Sequence, residues 1–208
     1  MLYHKYLLVM TTKLMESESM NIAITGHTKG LGASLKNIFE VNGHNVIGFS
    51  KSTGYDIGDL ESRKSILDNV FDVDVFINNA YHTTGQLELL KELVALWEGQ
   101  PKYIINISSK IVNIESEYFP DNVKEYRGAK ISMKEFTDNY KGSVRIYSIL
   151  PDLLKTDFEL SSIYFNPHKD GIDTSTVASL IYDMFKYRDS LHVSEIEILV
   201  PGKARGEI

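Results

Sequence analysis

Apolar and polar positions follow two periods along this chain, and the periods trade places in a regular order. Ile22-Ala23-Ile24 is a short unbroken apolar run. A run that short reads as a strand buried on both faces. It leads into Thr25-Gly26-His27-Thr28-Lys29-Gly30-Leu31-Gly32. Beyond this turn Leu31, Leu35, Ile38 and Phe39 recur at helical spacing, which predicts a helix over 30–41 closed by Asn42-Gly43. The pattern then repeats. Strands are predicted over 44–49, 73–80, 102–109, 143–150 and 195–200, and helices over 60–70, 86–98, 126–139 and 176–187. Residues 55–57 read as a short third strand or a turn. Strands alternating with helices predict one α/β domain, a Rossmann-like doubly wound parallel β-sheet flanked by helices.

The strand ends carry the polar residues. After the first strand, Gly26 lets the chain turn, Gly30 lets backbone approach a ligand, and Gly32 allows close helix–strand packing. The first-turn N–H groups of the next helix would then face an anion with the helix dipole behind them. Strand, glycine turn and helix in that order suit a dinucleotide phosphate; the alternative is a plain βα corner. The second strand ends at Ser50-Lys51, where an acidic residue would favour the free ribose hydroxyl of NAD. Lys51 and Lys29 are instead two cations for a 2′-phosphate, or two solvated surface lysines. Later strands end in Asn78-Asn79-Ala80 and in Ser108-Ser109. Tyr126 and Lys130, spaced i and i+4, lie on one helix face.

Composition narrows the function classes. The 208 residues suit one domain with a sizeable core. A formal net charge of -6 argues against an electrostatic nucleic-acid partner. With no cysteine there is no disulfide, thiolate metal site or Cys nucleophile, and no metal is expected. No apolar run is long enough to span a bilayer. Residues 1–19 read as an extension outside the core, with the domain over 20–208 and a cytoplasmic location expected.

The spacing Thr25-Gly26-x-x-x-Gly30-x-Gly32 resembles the cofactor loop of the short-chain dehydrogenase/reductase family. Asn78-Asn79-Ala80, Ser109, Tyr126-x-x-x-Lys130 and the Pro151/Thr156 pair follow in the family's order, so the resemblance covers about residues 20–200. It implies a catalytic set of Ser109, Tyr126 and Lys130. It implies cofactor contacts from Thr25, Gly26, His27, Lys29, Gly30, Leu31, Gly32, Ser50, Lys51, Asp56, Ile57, Asn79, Ala80, Tyr126, Lys130, Pro151 and Thr156. For Asp56 the alternative is a turn residue or helix cap. The implied activity is hydride transfer between NADP(H), favoured over NAD(H), and the carbonyl or alcohol of a small molecule. Tyrosine titrates near about 10, and a neighbouring Lys130 ammonium would lower that value. Ser109 would polarise the substrate oxygen.

The chain also departs from the family pattern. Tyr81 and Asp152 stand where glycines are expected, and the helix asparagine that helps hold a proton-relay water has no match. These departures favour a second reading, a non-catalytic NAD(P)-binding sensor. A nucleotide-sugar epimerase or dehydratase ranks third, because little chain remains for a substrate region. Residues 158–173 read as a substrate lid or a surface loop. The helices over 86–97 and 126–139 are the expected contacts of a homodimer or homotetramer.

Overall fold

The computed structural model describes residues 18–115, 117–156, 171–190 and 192–200. Six parallel strands form one sheet: β1 (Asn21–Thr25), β2 (Asn45–Phe49), β3 (Val75–Asn78), β4 (Tyr103–Ile107), β5 (Arg145–Pro151) and β6 (Glu195–Ile198). Their order is β2-β1-β3-β4-β5-β6. In register, Ile22 lies beside Val46 on one side and Val75 on the other. The described helices are α1 (Gly30–Val41), α2 (Leu60–Asp68), α3 (Gly85–Leu96), α4 (Asp121–Asn139) and α5 (Thr174–Lys186). The strand order reverses between β1 and β3. In an open α/β sheet, ligands bind outside the carboxyl ends of the strands at that point.

Side chains alternate across the pleat, so each strand feeds two cores. Ile22, Ile24, Val75, Ile77, Ile105, Tyr147 and Ile149 face α1 and α5 through Leu35, Phe39, Ile181 and Phe185. Ala23, Phe76, Ile104 and Ile146 face the other layer through Ile66, Leu89, Leu90, Leu93 and Met133 of α2, α3 and α4. Central strands with buried residues on both faces explain why the sequence shows unbroken apolar runs rather than strict alternation.

The predicted elements hold within a few residues, with two refinements. Residues 55–57 form no strand; as in the second of the two readings the chain turns here, from Asp56 to Asp59, whose N–H donates to the Asp56 carbonyl at 3.0 Å. Asp59, not Asp56, caps α2, its carboxylate accepting from Ser62 N at 2.8 Å. Asp56 accepts from Gly58 N at 2.9 Å and pairs with Lys51 Nζ at 2.9 Å. Residues 1–17, most of the expected lid over 158–173, and the tail from 201 lie outside the described residues. No described helix is long and apolar enough to cross a membrane. Among the described residues no cluster of three His, Asp or Glu could hold a metal ion.

His44 joins α1 to the start of the sheet. Its Nδ1 accepts from Met20 N at 3.2 Å, and its ring meets Phe39 and Tyr182 edge-on at 5.6 and 5.9 Å. Burial, with the charge of Arg188 second, holds its pKa below the ordinary value. The neutral ring is therefore the native form. Its stabilisation is complete above the unfolded value near about 6.5 and is lost as pH falls through the folded value. Urea unfolding at pH 8 and pH 5 should show wild type losing more stability on acidification than His44→Gln. Equal losses would exclude His44 as the group responsible.

Candidate active site

The glycine turn is knitted to the end of β3. Thr25 Oγ1 accepts from the backbone N–H groups of Asn79 and Ala80, each at 3.0 Å. The Asn79 amide donates to the carbonyls of Thr25 at 3.0 Å and Gly26 at 3.4 Å. Thr25 and Asn79 therefore shape the turn, with their side chains spent on backbone. Gly26 and Gly30 have φ of 70° and 56°, left-handed values that a side chain resists. Thr156 stands over the turn, with its Cγ2 3.2 Å from where a Gly30 Cβ would be. Pro151 closes β5. Leu31 is buried in the α1 core, which leaves only its backbone to face a ligand. Ile57 is buried, and its carbonyl accepts from Arg63 at 3.1 Å, a side chain also paired with Glu92 at 3.0 Å.

Around the end of β2 the side chains are hydroxyls. Ser50 Oγ lies 2.9 Å from Ser52 Oγ and 3.1 Å from Thr53 Oγ1, and Ser52 donates to Thr28 Oγ1 at 3.3 Å. His27 packs its ring against Gly48, and its Nδ1 is buried without a hydrogen-bond partner. Lys29 is exposed at the start of α1. Lys51 is also exposed, but it is engaged by Asp56. The two lysines are thus not equivalent cations.

These features fit a dinucleotide. The α1 N-terminus has no side-chain cap and no acid in its first turn, so its N–H donors are left to something else. The turn beside it is held open by glycines, and a buried imidazole nitrogen waits without a partner. The residues that would hold the phosphates are Gly26, Gly30, Leu31 and Gly32 through backbone, with Thr156 above them.

The expected catalytic residues come together. Ser109 caps the 3-10 turn Lys110–Asn113, its Oγ accepting from Ile111 N at 3.3 Å. The Tyr126 hydroxyl forms a hydrogen bond with Ser109. Lys130 Nζ stands 5.4 Å from the Tyr126 ring centroid and donates to the Ile107 carbonyl at 2.9 Å. All three therefore meet at the carboxyl end of β4.

Their electrostatics correct one expectation. Burial pushes the Tyr126 phenol up to about 12, against the lowering by its Ser109 hydrogen bond, and Tyr81 adds to the rise. Burial alone brings the Lys130 ammonium down to about 7. Lys130 therefore does not make Tyr126 acidic here. Its charge lies over the ring faces of Tyr126 and Tyr81 and is turned toward carbonyl oxygens, while desolvation works against both ionised forms.

Four further residues belong to the site, two of which, Tyr81 and Asp152, the sequence marked only as departures. Tyr81 meets the Tyr126 ring edge-on, with centroids 4.8 Å apart. Asp152 pairs with Lys110 Nζ at 3.2 Å and accepts from Leu153 N at 2.8 Å and Val200 N at 3.4 Å. Lys110 is only 2% exposed, so Asp152 replaces glycine with the counter-charge of a buried cation. Gln86, at the start of α3, bonds Lys130 Nζ through Oε1 at 2.7 Å. Its signal was present in the sequence: Gln86 continues the buried stripe of Leu90, Leu93 and Trp97, a polar residue on an apolar helix face.

No protein-family model and no curated protein matches this chain. Solved structures do resemble it. An alcohol dehydrogenase from Thermococcus sibiricus, complexed with 5-hydroxy-NADP, is similar at 15% identity over 90% of this chain and 99% of that one, with a TM-score of 0.70. A 3-ketoacyl-(acyl-carrier-protein) reductase from Brucella melitensis, complexed with NADH, is similar at 14% identity over 87% and 97%, also at 0.70. A short-chain dehydrogenase from Burkholderia cenocepacia, in complex with NADP, is similar at 16% identity over 88% and 89%, at 0.67. The chain has the fold of these dehydrogenases and reductases: a single parallel six-stranded sheet between two helical layers.

Proposed function

We propose that this chain is a short-chain dehydrogenase/reductase, an NADP(H)-dependent oxidoreductase that interconverts a carbonyl and an alcohol on a small molecule. The observation that carries this reading is the meeting of Ser109, Tyr126 and Lys130 at the sheet edge that also holds the glycine turn. The solved neighbours with NADP or NADH bound support a nicotinamide cofactor on this scaffold.

The chemistry that a nicotinamide supplies is hydride transfer; the chain supplies orientation and a proton. Tyr126, protonated to about 12, is an acid throughout the neutral range. It can donate from its hydroxyl to an oxygen that gains charge as a carbonyl is reduced. Ser109 Oγ, already in contact with that hydroxyl, can hydrogen-bond the same oxygen. An ammonium has three donors, and two of those on Lys130 are engaged by Gln86 and Ile107. The third is available to a ribose hydroxyl.

NADP(H) is favoured because the end of β2 offers hydroxyls and lysines where NAD recognition would need a carboxylate. Ser50, Ser52, Thr28 and Lys29 are the groups that would meet a 2′-phosphate, and Lys51 could turn to it from Asp56. Titration followed by nicotinamide fluorescence is expected to find NADPH bound at least about tenfold more tightly than NADH. Equal affinities would reject the NADP preference, and binding of neither would reject the dehydrogenase reading.

The sensor reading keeps one observation in its favour. Tyr81 covers an edge of Tyr126, where the family resemblance implies a glycine. A sensor would bind the dinucleotide and turn over no carbonyl compound.

A further inference from the structure

We infer that Gln86 positions Lys130, using one amide group to fix the ends of β3 and β4 and to anchor the ammonium between them. This rests on the reading of Lys130 as the cation that meets the cofactor. Gln86 touches neither substrate nor cofactor in that reading. It acts through Lys130.

The geometry leaves the amide a single orientation. Gln86 Nε2 donates to the Asn78 carbonyl at 2.9 Å and the Ile107 carbonyl at 3.0 Å. Oε1 accepts from Lys130 Nζ at 2.7 Å. Turning the amide over would set its NH2 against an ammonium and its oxygen against two carbonyls. The network therefore assigns oxygen and nitrogen. The Gln86 backbone is held as well, because Asn78 Nδ2 donates to the Gln86 carbonyl at 3.1 Å and to Asn106 Oδ1 at 3.0 Å.

These bonds form a closed frame. Asn78 and Asn106 are register partners on β3 and β4. Gln86 spans the same two strands one step further out. Lys130 reaches down from α4 and bonds both Gln86 and Ile107. Gln86 is 3% exposed and Lys130 is 3% exposed, so water does not substitute for any member.

The choice of a neutral amide matters. The groups facing Lys130 are Gln86 from α3, the Ile107 carbonyl from β4, Tyr126 from α4 itself and Tyr81 from the segment after β3. Among the described residues no carboxylate faces it. A glutamine accepts a hydrogen bond from the ammonium without neutralising its charge. The charge therefore stays available to a ligand, and burial can bring the group to about 7. A glutamate in the same place would hold the ammonium as an ion pair.

The test uses the apoprotein with 13C-labelled lysine ε-carbons and labelled glutamine side-chain amides. Lys130 is assigned by its loss in Lys130→Met and Gln86 by its loss in Gln86→Glu. In the wild type the Gln86 amide signals should shift with the same midpoint as Lys130. In Gln86→Glu the Lys130 midpoint should rise by about one unit or more. In Gln86→Met, NADPH should bind about tenfold more weakly. Gln86 signals that stay fixed while Lys130 titrates would overturn the inference. So would a folded Gln86→Met protein with wild-type NADPH affinity. If Gln86→Met does not fold, the wild-type co-titration decides alone. If the wild type binds neither nucleotide, the cofactor reading falls, and the co-titration still decides for or against the link between Gln86 and Lys130.

Discussion

Tyr126→Phe is expected to bind NADPH as the wild type does and to lose about a thousandfold or more in turnover of any carbonyl compound that the wild type reduces. The substitution removes one hydroxyl from a ring that is 8% exposed. The ring contact with Tyr81 and the position of Lys130 over the ring face remain possible. The structural loss is one hydrogen bond with Ser109, about 1 kcal/mol. The chemical loss is a proton donor in contact with Ser109 whose pKa, about 12, keeps it protonated across the neutral range. Screening a panel of small ketones and aldehydes for NADPH consumption supplies the assay. A variant as active as the wild type would remove Tyr126 from the chemistry. A wild type that binds NADPH and reduces nothing in the panel would move the reading toward the sensor.

The values for Tyr126 and Lys130 also give a direction for pH. Tyr126 stays protonated far above neutrality, so its role as an acid should not limit reduction anywhere below about pH 10. Lys130 changes charge near 7, within the working range. The ammonium that would meet the ribose is lost as pH rises through about 7, so reduction should fall on that limb, and the limb should be absent in Lys130→Met.

How much of this site could be read from residues alone differs from part to part. The turn from Thr25 to Gly32 was legible because strand, glycine and helix lie next to one another in the chain. Tyr126 and Lys130 were legible because helical periodicity fixes a common face over four residues. Gln86 was legible only as a polar residue on an apolar helix face, since its role depends on two carbonyls and an amine from β3, β4 and α4. Asp152 shows the same limit. It looked like a damaged glycine position, and its reason is a buried lysine 42 residues earlier in the chain. Lys51 looked like a phosphate cation, and its pairing with Asp56 emerges only when the chain turns from Asp56 to Asp59 rather than extending. The sign of the Tyr126 shift could not be read either, because proximity of a lysine is visible as spacing while burial of both groups is not.

The glycine turn makes the second large prediction. Gly32→Ala should abolish measurable NADPH binding and destabilise the fold by about 1–3 kcal/mol. A Cβ at Gly32 would fall 2.1 Å from the Gly26 carbonyl oxygen and 2.7 Å from Asn79 Nδ2. The nearest atom is backbone, so no side-chain rotation relieves the overlap. Either α1 moves off the turn or Gly26 moves away from Asn79, and each breaks the contacts that hold the phosphate cradle against β3. Gly128→Ala is the matched comparison. Gly128 also lies inside a helix, α4, and a Cβ there meets nothing within 4 Å. It should stabilise the protein by about 0.5–1 kcal/mol, the ordinary gain of alanine over glycine in a helix. Urea unfolding of both variants and NADPH titration of Gly32→Ala check the pair. Opposite signs of stability change locate the effect in the contact between Gly26 and Gly32, whereas a Gly32→Ala protein with wild-type stability and nucleotide affinity would mean that α1 does not pack on the turn this closely.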